Sequence, residues 1–266
     1  MRSVPLNLCG LPPWAIASRH YNAHPQPLDI QGVRHANRLL FARLDALEDP
    51  QARGMQFHDY MDVTFQLHQW QQETSAKGRK SLKNSYLRFL RGWMFDSNSP
   101  EGAVLKGWVE SRFGLPPTYH GTRIADQHGE AYYRYLVERM KGAARTNAIN
   151  TQFDVLFAFV QYELARRHPG RGHLPLYRGV HDFSEYPILE ELGKNRFVVR
   201  LNNLNSFTSD FERAWEFGSK VMKAEVPLFK IVYQCGILPS SLLKGEEEVL
   251  VLGGEFEVEV LTGGFG

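Results

Sequence analysis

The stretch EFEVEVL, residues 255–261, decides the fold class of the second half of the chain by the order of its side chains. The apolar residues Phe256, Val258 and Val260 alternate with glutamates. Because successive side chains of a β-strand point to opposite faces of a sheet, this alternation indicates one buried face and one solvated face. We therefore predict a half-buried strand here.

Further strand-like runs fill the rest of the chain after Pro169, with turn residues between them. The runs are LPLYRGV (174–180), NRFVVRL (195–201), AEVPLFKIVYQC (224–235) and EEVLVL (247–252). A single short helix is predicted among them, over ERAWEFGSKV (212–221). This part of the chain is expected to be rich in strands.

The preceding part of the chain shows helical spacing instead. In TQFDVLFAFVQYELARRHP, residues 151–169, Phe153, Leu156, Val160 and Leu164 recur on one face of a helix. Weaker helical patterns cover 33–47, 59–72, 84–95 and 131–141. We predict an α+β fold in which a mainly helical region, 1–168, packs on a strand-rich region, 169–266, as a separate or a continuous unit.

The bulk composition excludes several classes of protein. The chain has 266 residues, 43% of them hydrophobic, and a net charge of +2, which is typical of a globular protein and not of a nucleic-acid binder. The one basic run, KGRKSLK at 77–83, is interpreted as a surface loop. Two distant cysteines and the lack of a long apolar run favour a cytoplasmic protein without a membrane span.

Several familiar catalytic motifs are missing from the sequence. There is no glycine-rich dinucleotide or phosphate loop, no G-x-S-x-G elbow and no H-E-x-x-H pair. The two cysteines are far apart, and the i,i+4 pair His20 and His24 lies beside Pro25 and Pro27, where a metal-binding helix is not expected, so no metal site is predicted.

Three pieces of the strand-rich region could carry chemistry. Arg178 lies in an apolar strand, the hydroxyl cluster NSFTSD (205–210) ends another strand, and Glu246 and Glu248 are two residues apart and so can point to the same side. Each piece also has a structural interpretation, as a buried ion pair, a helix N-cap and a solvated loop respectively. The order of the three pieces along the chain favours the functional interpretation over the structural ones.

The order of these pieces resembles the R-S-E arrangement of arginine-specific mono-ADP-ribosyltransferases. It consists of an arginine before glycine, a Phe-Thr-Ser strand end and an E-x-E before an apolar strand. The chain is similar to the dinitrogenase reductase ADP-ribosyltransferase family in three segments, which are YRG, NSFTSD with ERAWEFG, and EEEVLVLGGEFEV. This resemblance runs over most of the chain, including LRGWMFDSNSPEGAVLKGWVESRFGLPPTYHG in the helical region. It implies an ADP-ribosyltransferase-like core in the second half.

The chain departs from the family at the Ser-Thr-Ser triplet, which reads FTSD here. Aligning the first serine with Ser209 leaves Asp210 and Phe211 where threonine and serine are expected. Ser206 and Thr208 are the alternatives for the same role.

The resemblance implies that ADP-ribose is transferred from NAD, as substrate, to a protein arginine. Glu248 would stabilise the ribose cation and Glu246 would orient the acceptor guanidinium. Arg178 would hold the NAD phosphates, and the hydroxyl of Ser209 would fix Glu248, with Thr208 also beside the NAD. The backbone of Gly179 would receive the nicotinamide amide.

The resemblance also implies two protein partners, dinitrogenase reductase as substrate and a PII-type nitrogen signal protein as activator. Modification of the reductase would switch off nitrogen fixation. The alternatives are a transferase with another target, an NAD glycohydrolase with water as acceptor, and a catalytically silent module that binds a nucleotide or a partner. The altered triplet favours the silent module, whereas the intact E-x-E opposes it.

Overall fold

A computed structural model describes residues 7–67, 85–144, 148–182, 186–243 and 247–262. The helices lie mostly in the first part of the chain. They are α1 (Pro13–Ala17), α2 (Arg19–Ala23), α3 (Val33–Ala36), α4 (Arg38–Asp45), α5 (Pro50–Phe65), α6 (Tyr86–Phe95), α7 (Pro100–Phe113), α8 (Glu130–Ala143), α9 (Ile149–Arg167) and α10 (Phe211–Trp215). The basic run 77–83 and Glu246 lie outside the described residues.

Two short strands form a hairpin in the first part of the chain, and six form the main antiparallel sheet. The strands are β1 (Tyr119–His120), β2 (Thr122–Arg123), β3 (His173–Val180), β4 (Ile188–Gly193), β5 (Arg196–Thr208), β6 (Lys220–Pro227), β7 (Ile231–Gln234) and β8 (Glu248–Thr262). The order in the main sheet is β4-β5-β3-β6-β8-β7, and β5 also pairs with β8. The predicted α+β fold is confirmed.

Strand β8 is the longest strand and connects most of the sheet. Its first part pairs with β7, its last part pairs with β6, and β5 runs beside it from Thr208↔Glu248 to Arg196↔Glu259. Phe256, Val258 and Val260 are buried, as the alternation predicts. This strand begins with the carboxylate that the sequence singles out.

Side-chain caps fix the starts of the helices that border the site. Ser85 accepts a hydrogen bond from Leu87 N at the start of α6, and Ser99 accepts one from Gly102 N at the start of α7. Asp210 accepts from Glu212 N and Arg213 N at the start of α10. Such caps satisfy backbone donors that have no partner inside the helix.

One apolar cluster joins the two regions of the chain. Trp93 of α6 and Phe157 of α9 belong to it together with Phe207 of β5 and Val251 of β8. The division into regions 1–168 and 169–266 stays a prediction. No helix of the described residues is long and apolar enough to cross a membrane.

Some elements differ from the sequence expectation. Helix α7 was not predicted, and β4 was missed because each of its residues is exposed. The predicted helix 212–221 is shorter, since α10 ends at Trp215 and β6 begins at Lys220. The two runs 247–252 and 255–261 form one strand, because Gly254 at φ 118° lets the chain continue through an irregularity opposite Leu201 to Leu204.

Candidate active site

A cleft of about 680 Å³ lies between the C-terminal end of α6 and the sheet. Trp93, Phe95 and Asp96 line it from the helical side. The sheet side is lined by residues of β3, β5 and β8, and α10 contributes Ala214 with Phe217 just beyond it. Its volume lies within the usual range of about 300 to 1,000 Å³ for small-molecule sites. Arg178, Gly179, Thr208 and Glu248, all singled out from the sequence, lie on its wall.

Glu248 is the only carboxylate from a strand that lines this cleft within the part of the chain described. It is the first residue of β8 and is half-buried. Its Oε1 accepts a hydrogen bond of 2.5 Å from Ser206 Oγ. Burial raises the pKa of Glu248, while hydrogen bonds from Ser206 and Trp93 and the positive charge of Arg178 act in the opposite direction. The carboxylate is thus desolvated but supplied with donors that favour its ionised form.

Ser206 approaches Glu248 because of the strand register. Thr208 is the direct partner of Glu248 in the β5–β8 ladder, and Ser206, two residues before Thr208, points to the same face. Ser209 follows the end of β5 and is exposed. The structure therefore brings Ser206 to the carboxylate, and it does not bring Ser209 there.

Thr208 is buried and lines the cleft, but its hydroxyl is used locally. Thr208 Oγ1 accepts a hydrogen bond of 3.1 Å from Asp210 N, in the turn that leads into α10. Within the hydroxyl cluster, Ser206 donates to the carboxylate of Glu248. Thr208 and Asp210 instead accept hydrogen bonds in the turn and at the helix cap. The N-cap interpretation of this cluster holds for Asp210.

Arg178 lies in β3 and is oriented by two neighbours. Its Nη1 donates to the backbone oxygen of Ser206 at 2.6 Å. Its Nε and Nη2 donate to the hydroxyl of Tyr186 at 3.1 and 2.7 Å. A backbone carbonyl and a phenol thus hold the fork of the guanidinium at the cleft wall. Sequence reasoning missed Tyr186, which carries no motif.

Gly179 allows α10 to approach β3 closely. A Cβ atom at this position would lie 2.0 Å from the backbone oxygen of Ala214 and 3.0 Å from the carbonyl carbon of Phe217. Only glycine permits this contact, because backbone atoms cannot move aside as a flexible side chain can. The glycine of the YRG motif thus places α10 at the rim of the cleft.

Trp93 of α6 reaches the same serine from the helical region. Its indole Nε1 donates to Ser206 Oγ at 2.8 Å, and its side chain is buried. The sequence offered no signal for this residue, because an aromatic residue at helical spacing indicates core packing.

Glu247, which precedes the catalytic candidate, is exposed and has a left-handed backbone with φ 52°. This conformation is uncommon for residues other than glycine. Its exposed position leaves Glu248 as the carboxylate of this run that lines the cleft among the described residues. The position of Glu246 lies outside the part of the chain described.

The arrangement suits a reaction that develops positive charge near a carboxylate. Glu248 is held by a hydroxyl, and Arg178 presents a cation on the neighbouring wall. Among the described residues, no group of three or more His, Cys, Asp and Glu side chains could hold a metal ion. The side chains here offer charge stabilisation and anion binding.

Comparison with known proteins extends over almost the whole chain. A family model described as "Dinitrogenase reductase ADP-ribosyltransferase (DRAT)" matches residues 6–260. The chain is 42% identical over 257 residues to a Rhodospirillum rubrum protein named "NAD(+)--dinitrogen-reductase ADP-D-ribosyltransferase". That match covers 95% of this chain and 93% of the relative. No solved structure matches the chain significantly.

Proposed function

The chain belongs to the dinitrogenase reductase ADP-ribosyltransferase family, and we propose that it transfers ADP-ribose from NAD to an arginine of dinitrogenase reductase. Nicotinamide leaves, and the modified reductase no longer supports nitrogen fixation. NAD is a substrate of this reaction. The observation that carries the proposal is the Glu248 carboxylate, held by Ser206 beside Arg178 in a cleft of sufficient size.

Glu248 stabilises the transition state. The bond between ribose and nicotinamide breaks with its electron pair leaving on the nicotinamide, so positive charge develops on the ribose, as in glycoside hydrolysis. A carboxylate fixed beside the sugar stabilises that charge without having to reorganise during the reaction. Ser206 fixes the carboxylate, taking the role that the sequence alignment gave to Ser209.

Arg178 and Gly179 bind the NAD. The planar fork of Arg178 suits the diphosphate, and the bonds to Ser206 O and Tyr186 pre-orient it. Gly179 presents its backbone to the nicotinamide amide at the place where α10 closes over β3. Thr208 forms the adjoining wall of the cleft.

Glu246 prepares the acceptor. The arginine of the substrate protein is protonated at neutral pH and is therefore a weak nucleophile. A second carboxylate orients the guanidinium through a bidentate contact and takes the proton that is released when the nitrogen bonds to the ribose. The spacing of two residues between Glu246 and Glu248 supports this division of roles.

The test measures nicotinamide release from NAD with and without purified dinitrogenase reductase. Glu248→Gln should reduce release about a hundred- to a thousandfold under both conditions, because both reactions pass through the ribose cation. Glu246→Gln should abolish transfer and retain most of the slow hydrolysis by water. Glu247→Gln is the matched control, with an exposed carboxylate between the other two.

A loss of release in Glu247→Gln, or equal effects of the Glu246 and Glu248 variants, would contradict these roles. An enzyme that releases nicotinamide at the same rate with and without the reductase would instead be an NAD glycohydrolase. A folded wild-type protein that binds NAD and releases no nicotinamide with the reductase present would be the silent binding module.

A PII-type nitrogen signal protein activates the enzyme in this proposal, and the reaction takes place in the cytoplasm, where NAD is available. Family resemblance is the support for the activator. Adding a purified PII-type protein should increase the rate of transfer to the reductase. An unchanged rate at saturating concentrations of PII-type protein would remove this partner.

A further inference from the structure

The geometry points to Trp93 as a positioning residue, which orients the Ser206 hydroxyl so that its hydrogen is donated to Glu248. The inference rests on the proposed function for its catalytic meaning. It adds a residue of the helical region to the machinery of the strand-rich region. Trp93 donates its N–H to Ser206, and its indole also favours the ionised form of Glu248 directly.

Three atoms form a directed chain. Trp93 Nε1 lies 2.8 Å from Ser206 Oγ, and Ser206 Oγ lies 2.5 Å from Glu248 Oε1. An indole N–H can only donate, whereas a hydroxyl can donate one hydrogen and accept two. When Trp93 fills an acceptor site of Ser206, the serine hydrogen is left for the carboxylate. Consecutive hydrogen bonds of this kind also polarise one another.

The indole ring itself is held firmly. Its side chain is 3% exposed and lies in the apolar cluster that joins the two regions. Lys106 Nζ lies 5.7 Å from the ring centroid, and Tyr119 O and Asn98 Oδ1 accept hydrogen bonds from this ammonium group. Because the indole ring of Trp93 is fixed, its N–H orients the Ser206 hydroxyl, which would otherwise rotate about its C–O bond.

The consequence concerns the protonation of Glu248. Donors aimed at a carboxylate stabilise its ionised form and lower its pKa, against the burial that raises it. Loss of the indole N–H therefore raises the pKa of Glu248, and the acid limb of the rate profile moves to higher pH. Among the described residues, the charged and titratable groups around Glu248 are Arg178 of β3, Tyr233 of β7 with Cys235 just beyond that strand, Arg91 and Asp96 of α6 and the adjacent Glu247. All of them are retained when Trp93 is changed.

The competing explanation is that Trp93 only fills space. Trp93→Phe removes the N–H and retains an aromatic ring. Trp108→Phe is the matched control, because Trp108 is also buried in the apolar cluster and donates its N–H to Asp154 Oδ1 at 2.7 Å. Both variants lose part of an indole and one hydrogen bond. Only one of them loses a bond to the site.

The first experiment measures kcat and KM for NAD as a function of pH. Trp93→Phe should lower kcat about three- to tenfold, as expected for one hydrogen bond, with little change in KM and with the acid limb shifted to higher pH. Trp108→Phe should leave the acid limb in place. In a Ser206→Ala background, Trp93→Phe should cause a smaller loss than in the wild type, because part of its effect passes through the Ser206 hydroxyl. An additive loss, or equal effects of the two tryptophan variants, would overturn the inference.

The second experiment does not depend on activity. Infrared difference spectra recorded during a pH titration report the Glu248 carboxyl group, identified by its absence in Glu248→Gln. The pKa should be higher in Trp93→Phe than in the wild type and unchanged in Trp108→Phe. An unmoved pKa in Trp93→Phe would overturn the inference, whereas an active Glu248→Gln enzyme would instead overturn the proposed catalytic role of Glu248.

Discussion

The side chain of Ser206 reaches a carboxylate far along the chain because two antiparallel strands place both on one face. The sequence alignment favours Ser209 for this contact, whereas the structure makes it with Ser206. Ser209 lies only three residues further along, but it is exposed beyond the strand end. For these single residues, burial and strand face decide which hydroxyl contacts the carboxylate.

Ser206→Ala should lower kcat about tenfold or more, whereas Ser209→Ala should leave it within about twofold of the wild-type value. The alanine at position 206 removes the donor to Glu248 and raises the pKa of that carboxyl group, so the acid limb should also move to higher pH. Rate profiles of both variants against pH provide the test. The reverse ranking would return the role to Ser209.

Arg178→Lys should weaken NAD binding about ten- to a hundredfold, because an ammonium group cannot replace a planar fork that Ser206 O and Tyr186 orient. Isothermal titration calorimetry measures the affinity. Arg200→Lys is the matched control, since Arg200 is exposed on β5 and pairs with Glu255. Unchanged affinity in a folded Arg178→Lys protein would remove this residue from the NAD site.

The short motifs pointed to Arg178, Gly179 and Glu248, and the structure places all three on one cleft. The alignment chose Ser209 over Ser206 and Thr208, because the sequence does not show that the strand stops at Thr208 and leaves Ser209 beyond its end. Trp93 and Tyr186 gave no signal, since they reach the site through tertiary packing from other segments of the chain.

The contact between α10 and β3 shows what single elements contribute. The backbone of α10 lies so close to Gly179 that no side chain fits between them. The helix is capped by Asp210, directly after the strand that carries Ser206. The rim of the cleft is therefore set by the packing of one helix turn against one strand.

Gly179→Ala should raise KM for NAD and lower the free energy of unfolding by about 1 to 3 kcal/mol, because the new methyl group displaces α10. Urea unfolding and steady-state kinetics measure the two effects. Gly193→Ala is the matched control, since a Cβ atom at Gly193 in β4 would have no neighbour within 4 Å. Equal behaviour of the two variants would mean that α10 adjusts without cost.

Periodicity predicted an element where its apolar residues recur at the spacing of a strand or a helix. It identified residues 255–261, which have one buried and one exposed face, and α9, in which Gln152 to Val160 are buried on every side. It missed α7, where Gly102, Lys106 and Gly107 interrupt the apolar spacing although the helix is buried from Gly102 to Val109. It missed β4 because no residue of that strand is buried, so its sequence shows no alternation.

At the scale of the whole molecule, one apolar core holds the helices against the sheet, and a buried cation lies within it. Lys230 Nζ donates to Gly253 O at 3.1 Å and lies 4.7 Å from the centroid of the Phe256 ring. Burial lowers the pKa of Lys230 from 10.5 to about 7. A charged lysine is therefore costly here.

Lys230→Met should stabilise the fold by a few kcal/mol at pH values of about 7 and below. Between about 7 and 10.5 the unfolded wild type binds more protons than the folded wild type, so wild-type stability rises with pH and the advantage of the variant shrinks. Urea unfolding of both proteins across this range measures the difference. Lys141→Met, at an exposed site paired with Glu138, is the control. A pH-independent difference at position 230 would contradict the burial argument.

The pairing of β8 with three other strands also orders events during refolding. Helices need only contacts between near neighbours in the chain, whereas β8 must close long loops to reach β5, β6 and β7. Glu248 meets Ser206 only when that closure is complete. In a refolding experiment the helical circular dichroism signal should therefore recover before nicotinamide release does. During the interval between the two signals, the chain has most of its helices but its Glu248 and Ser206 have not yet met.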